Sequence, residues 1–196
     1  MRNVDWGMRN GRQGDDQWII KNSTLKHRSE ARIIQHSTLK IQHLKMRTIT
    51  LIVIHCSAVR PNQTSSAKQI DEWHKDRGFN GIGYHYVIRR DGTIEPGRPE
   101  WQIGAHCVNH NAHSIGICYE GGLDIRGQPD DTRTAEQKQT MRRLLEDLHQ
   151  RYPRAMIVGH HDLYPPKPCP CFDAAKEYLD IQPKWRESWK HGSLTS

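Results

Sequence analysis

Two imidazoles, one ammonium and two thiols crowd into one short stretch of this chain, Val158-Gly159-His160-His161-Asp162-Leu163-Tyr164-Pro165-Pro166-Lys167-Pro168-Cys169-Pro170-Cys171-Phe172. Neutral imidazole and thiolate are zinc ligands, and the prolines limit the conformers that the segment gives up on closing around an ion. The competing account is a proline-rich surface loop with solvated histidines. A second stretch favours the metal. In Leu51-Ile52-Val53-Ile54-His55-Cys56-Ser57 an apolar, β-branched run of buried-strand type ends on a histidine. A strand end fixes the backbone and presents an imidazole with little loss of rotamer freedom. One histidine from that strand, with one histidine and one cysteine from the proline loop, makes three protein ligands and leaves a tetrahedral ion one open position. That is a catalytic rather than a structural count.

The elements that must position these residues read as alternating strands and helices. Thr48 to His55 has the pattern of a buried strand. Ser65 to Arg77 reads as a helix, with Ser66 and Gln69 at capping-box spacing, Ile70, Trp73 and Arg77 on one face and Gly78 as the stop. Tyr84 to Arg89 reads as a strand, Asp91-Gly92 as a hairpin turn, and Thr93 to Glu95 as the start of the return strand. Alternation along Tyr84-His85-Tyr86 puts both tyrosines on one face and His85 on the other. Ser114 to Tyr119 is a further strand. Ala135 to Tyr152 is the clearest helix: Thr134 caps it with Gln137 in answer, Met141, Leu144, Leu145 and Leu148 recur at helical spacing, and Pro153 ends it. Met156 to Gly159 is a short strand, and Asp173 to Leu179 a last helix. The expected fold class is α/β, a single domain with a central mixed β-sheet flanked by helices.

Residues 1–45 are polar, basic and aperiodic, with a short two-copy echo, Ile19 to Lys26 in Ile33 to Lys40. They are expected to form a poorly ordered basic extension, with the domain over 46–181 and a polar C-terminal tail over 182–196. The net charge of +7 is concentrated there: nine Lys/Arg stand against four Asp/Glu in residues 1–45. A near-neutral remainder argues against a nucleic-acid partner. No run reaches the roughly 18 apolar residues of a membrane span, and no secretory signal is recognisable. The five cysteines are an odd number, which suits a reducing compartment or metal use better than a disulfide framework.

Short motifs in a fixed order carry a resemblance. They are Val53-Ile54-His55-Cys56-Ser57-Ala58, Gly83-Tyr84-His85-Tyr86-Val87-Ile88, Arg90-Asp91-Gly92-Thr93, Gly104-Ala105-His106, Asn111 before Ser114-Ile115-Gly116-Ile117, Gly121-Gly122, Gly159-His160, and Lys167-Pro168-Cys169-Pro170-Cys171-Phe172-Asp173. Together they resemble the zinc-dependent N-acetylmuramoyl-L-alanine amidases of the type-2 amidase group, which includes phage lysozyme-type amidases and the peptidoglycan recognition proteins. The resemblance implies Zn²⁺ as cofactor, with His55, His160 and Cys169 as its ligands. It selects His160 over His161 and Cys169 over Cys171. It implies Tyr84 and Lys167 as catalytic residues, and His106, Asn111 and Ser114 as substrate-groove residues. The implied reaction is hydrolysis of the amide between N-acetylmuramic acid and the L-alanine of the stem peptide. Peptidoglycan is then the partner, the cell wall the place of action after synthesis in the cytoplasm, and a monomer the expected state. The alternative is a relative that binds peptidoglycan without cutting it or regulates another protein. Non-cutting relatives typically lack the cysteine ligand, and Cys169 is present.

Overall fold

A computed structural model describes residues 47–184, so the extension over 1–45 and the tail from 185 lie outside the described residues. Five strands, β1 (Leu51–Cys56), β2 (Tyr86–Ile88), β3 (Ile94–Pro96), β4 (Ser114–Tyr119) and β5 (Met156–Gly159), form one sheet in the order β3-β2-β4-β1-β5. All neighbours pair in parallel except β2 with β3. This is the mixed sheet of the expected α/β class. β1 and β4 are buried along their whole lengths, which is why they read as near-continuous apolar runs rather than alternating ones.

Alternation along β1 divides its side chains between two layers. Ile52, Ile54 and Cys56 enter the larger core, where Met141, Leu144, Leu145 and Leu148 of helix α2 (Ala135–Arg151) cover the sheet. The opposite face carries Val87 and Cys118 beneath Ile70 of helix α1 (Ala67–Asp76). His55 shares that second, thinner side. Both helices begin where their caps were read. Thr134 Oγ1 accepts from Gln137 N at 3.1 Å and Gln137 Oε1 accepts from Thr134 N at 3.0 Å, a complete capping box. The Gln137 amide then donates to the carbonyls of Ile88 and Glu120, tying the helix to the ends of β2 and β4. At α1 the box is half made: Ser66 Oγ accepts from Gln69 N, but the Gln69 amide turns to Glu72.

Two expectations are corrected. Regular pairing of β2 begins at Tyr86, opposite Pro96; just upstream, the consecutive N–H groups of Gly97 and Arg98 donate to the consecutive carbonyls of His85 and Tyr84 at 2.9 Å each, which breaks the every-second-residue alternation of an antiparallel ladder. Upstream the backbone bends, so Tyr84 packs with Ile70 and Val87 while Tyr86 packs against the larger core. The two tyrosines do not share a face. Second, Gln182 is not tail-like. It follows the 3₁₀ turn Leu179–Ile181, is buried, and exchanges hydrogen bonds with the N–H and carbonyl of Ile157 at 3.0 and 2.6 Å.

Two buried histidines serve the fold as acceptors. His74 Nδ1 takes the Gly83 N–H at 2.8 Å and His85 Nδ1 that of Gly116 at 3.0 Å. Burial lowers both imidazoles to about 4. An unfolded chain binds these protons near pH 6.5. Their contribution is therefore complete above about pH 6.5 and is lost as pH falls toward 4. Urea midpoints measured with chelator present throughout, so that metal loss plays no part, are expected to drop steadily from pH 7 to pH 4.5; an invariant midpoint would contradict neutral burial of these rings.

Candidate metal centre and groove

The parallel sheet delivers its chemistry at the carboxyl ends of its strands. His55 stands near the end of β1, paired with Cys118 of β4. One strand over, Ile54 pairs with Gly159, the last residue of β5, so the next residue, His160, emerges beside His55. Their rings lie 4.5 Å apart. His160 opens a single helical turn, α3 (His160–Leu163), whose Asp162 carboxylate accepts the Gly159 N–H at 2.7 Å. The pair His160-His161 is thus divided by a helical turn rather than by extended alternation. His161 instead contacts Asp162 at 3.1 Å. A side chain at Gly159 would meet Pro170 at 2.7 Å, so the Gly-His pair lets the proline loop close on the strand end.

That loop is pinned from several sides. His161 N–H donates to Cys169 O, Cys171 N–H to Pro168 O, and the Tyr119 hydroxyl to Pro170 O, each at 2.7 Å. Beyond it, the Arg133 guanidinium stacks 3.2 Å from the Phe172 ring centre while held by Asp131 and Glu177. Helix α4 (Ala174–Glu177) follows, capped by the Asp173 carboxylate on Lys176 N. Cys169 Sγ is left facing His55 Nδ1 at 3.8 Å and receives the Cys56 N–H at 3.3 Å.

One ligand atom each from His55, His160 and Cys169 lie within 4.8 Å of one another. Tetrahedral bonds of about 2.0–2.1 Å to nitrogen and 2.3 Å to sulfur put such atoms roughly 3.5 Å apart, so the ligands need only a small contraction to hold zinc. Burial, then the neighbouring imidazoles of His106 and His160, hold His55 well below its usual pKa, and burial followed by the Lys167 charge lowers His160. Both rings are therefore neutral, as ligands must be. Two imidazoles and a thiolate are a donor set that suits zinc.

The cluster floors a cavity of about 380 Å³ lined also by Tyr84, Trp73, His74, Arg77 and Lys167. A second cavity of about 530 Å³, lined by Val108, Asn109, Leu163 and Tyr164, shares His106, His160 and Lys167 with the first. The two form one groove across the ligands. The Tyr84 ring lies 5.1 Å from that of His55, and burial raises its hydroxyl well above its usual pKa, so it is a hydrogen-bond donor rather than an anion. Of the three expected groove residues, only His106 and Asn111 reach the groove. Ser114 is fully buried and bonds His106 and the His110 carbonyl, so it is corrected to a support residue. Sequence reading also missed the Cys56 N–H and Arg133; both act on the loop from residues far away in the chain, and no local pattern marks them.

Residues 45–172 match the family model described as N-acetylmuramoyl-L-alanine amidase. The chain is 42% identical over 134 residues to the endolysin of Enterobacteria phage T3, and 40% identical over 134 residues to that of Escherichia phage T7; each match covers 68% of this chain and 88% of the relative. Among solved structures, the N-acetylmuramoyl-L-alanine amidase LysC from Clostridium intestinale URNW superposes with a TM-score of 0.58 at 31% identity, covering 70% of this chain and 85% of that one. The chain belongs to the N-acetylmuramoyl-L-alanine amidase family.

Substituting His55, His160 or Cys169 by Ala is expected to reduce the zinc bound by the purified protein, measured by atomic emission, whereas His161→Ala is expected to leave it nearly unchanged. Full zinc content in the triple variant would refute the ligand set.

Proposed function

We propose that this chain is a zinc-dependent hydrolase of peptidoglycan that cleaves the amide between the lactyl group of N-acetylmuramic acid and the L-alanine of the stem peptide. The supporting observation is the convergence of His55, His160 and Cys169 at the floor of a groove that also carries Tyr84 and Lys167. Zinc, when bound, supplies Lewis acidity toward a water and a carbonyl oxygen. His55, His160 and Cys169 would hold it. Lys167, at the junction of the two cavities, brings a positive charge toward the oxygen on which negative charge develops when the amide carbonyl is attacked. The protonated Tyr84 hydroxyl orients the attacking water and relays its proton, giving its own to the departing L-alanine amine as it takes up the one the water loses. No HExxH glutamate is present to serve as base.

Digestion of purified peptidoglycan, with products identified by mass, is expected to yield new L-alanine amino termini, and chelator is expected to abolish them. Cleavage elsewhere in the wall would refute the bond assignment. Tyr84→Phe is expected to lower turnover by roughly 10²- to 10⁴-fold, and Lys167→Ala by roughly 10²- to 10³-fold, both at normal zinc content. Their effects should not add, because both groups serve one transition state. Near-normal turnover in both single variants would remove their roles. A chain starting at Met46 is expected to fold cooperatively and cleave peptidoglycan as fast as the full chain, since every motif follows that residue; insolubility or loss of turnover would show that residues 1–45 contribute to the domain.

A further inference from the structure

An imidazole that binds a metal through one ring nitrogen must place a proton on the other, and the partner of that second nitrogen decides which tautomer is present. His55 is only 1% exposed, so bulk water cannot supply the partner. His106 does: its Nδ1 lies 3.0 Å from His55 Nε2. On the far side, His106 Nε2 lies 3.2 Å from Ser114 Oγ, and that hydroxyl donates to the His110 carbonyl at 2.7 Å. The direction of every bond follows from the last one. A carbonyl only accepts, so the Ser114 proton is committed to it and Ser114 Oγ must accept from His106 Nε2–H. A neutral His106 then carries a lone pair at Nδ1, which accepts from His55 Nε2–H. His55 is left with its free lone pair at Nδ1, the atom that faces Cys169 Sγ.

We infer that His106 is a positioning residue for the metal ligand His55, locking its tautomer and ring orientation, with Ser114 setting the polarity of the pair from a backbone carbonyl. The inference rests on the zinc-dependent activity proposed above. The seat of His106 is built for one ring. A Cβ on Gly116 would stand 2.5 Å from its Cδ2, and one on Gly104 2.6 Å from the same atom, so neither position admits a side chain without displacing the imidazole. Asn111 Oδ1 accepts the N–H groups of His106 and Cys107 at 2.8 and 2.9 Å and holds the backbone. Gly104-Ala105-His106, Asn111 and Ser114-Ile115-Gly116 thus act as one support for His55.

Two measurements test this. Long-range ¹H–¹⁵N spectra of the zinc-loaded wild-type chain should show His106 protonated at Nε2 and bare at Nδ1; a proton on His106 Nδ1 overturns the inference without any substitution. In chelator competition, His106→Leu and Gly116→Ala should each weaken zinc binding by about 10- to 100-fold. His106→Asn, whose Oδ1 can occupy the place of Nδ1 as an acceptor, should recover most of that loss, an effect that packing alone does not produce. Wild-type affinity in His106→Leu, or equal losses in the Leu and Asn variants at equal metal-free thermal stability, overturns the inference. A wild-type chain that binds no zinc would instead sink the metal reading itself.

Discussion

The register of β1 against β5 is the constraint on which the site depends. Because Ile54 lies opposite Gly159, the next residue on each chain stands beside the other, and the imidazoles of His55 and His160 meet across a sheet whose hydrogen bonds leave little play. A one-residue slip would send His55 into the layer occupied by Ile54 and Cys56. The thiol of the candidate site is not set by the sheet. Cys169 arrives on a loop, and its position needs independent anchors: backbone bonds from His161, the Tyr119 hydroxyl, and the stack of Arg133 on Phe172. A rigid pair and a pinned loop together bring the two imidazoles and the thiol into one place.

Arg47 does comparable work for the segment that leads into β4. Its guanidinium donates to the carbonyls of Glu100, Asn111 and Ser114, gathering the segment that carries His106 against the start of β4. The irregular backbone ahead of β4 thus has the carbonyls of Glu100 and Asn111 bonded to a fixed side chain rather than left to solvent. Such satisfaction lets a loop act with the precision of a regular element.

What was legible in the sequence was local. His55 at the end of an apolar run, the caps Ser66 and Thr134, and the proline loop around Cys169 all announce themselves within a few residues. The motif containing His106, Asn111 and Ser114 was visible as a cluster, but spacing says that residues act together without saying which way they face, and Ser114 turned inward to the imidazole instead of outward to the groove. Tyr84 was misplaced because alternation presumes a regular ladder, and the consecutive bonds from Gly97 and Arg98 to His85 and Tyr84 break that regularity. Gln182 and Arg133 were invisible for a different reason: each answers a polar or aromatic group reached only after the chain has folded back on itself, with Ile157 and Phe172 as the partners.

The bond pair between Gln182 and Ile157 has a consequence beyond stability. Among the described residues β5 is the last strand on its side of the sheet, and the groups of Ile157 taken by the Gln182 amide are those a further strand would use. The opposite border, β3, is three residues long and ends in a proline. Exposed borders are where sheets of separate molecules join, and a side-chain amide on one and an imide nitrogen on the other both deny the incoming backbone its partners. Among the described residues, both margins of the sheet therefore meet an incoming strand with part of their backbone already taken or withheld.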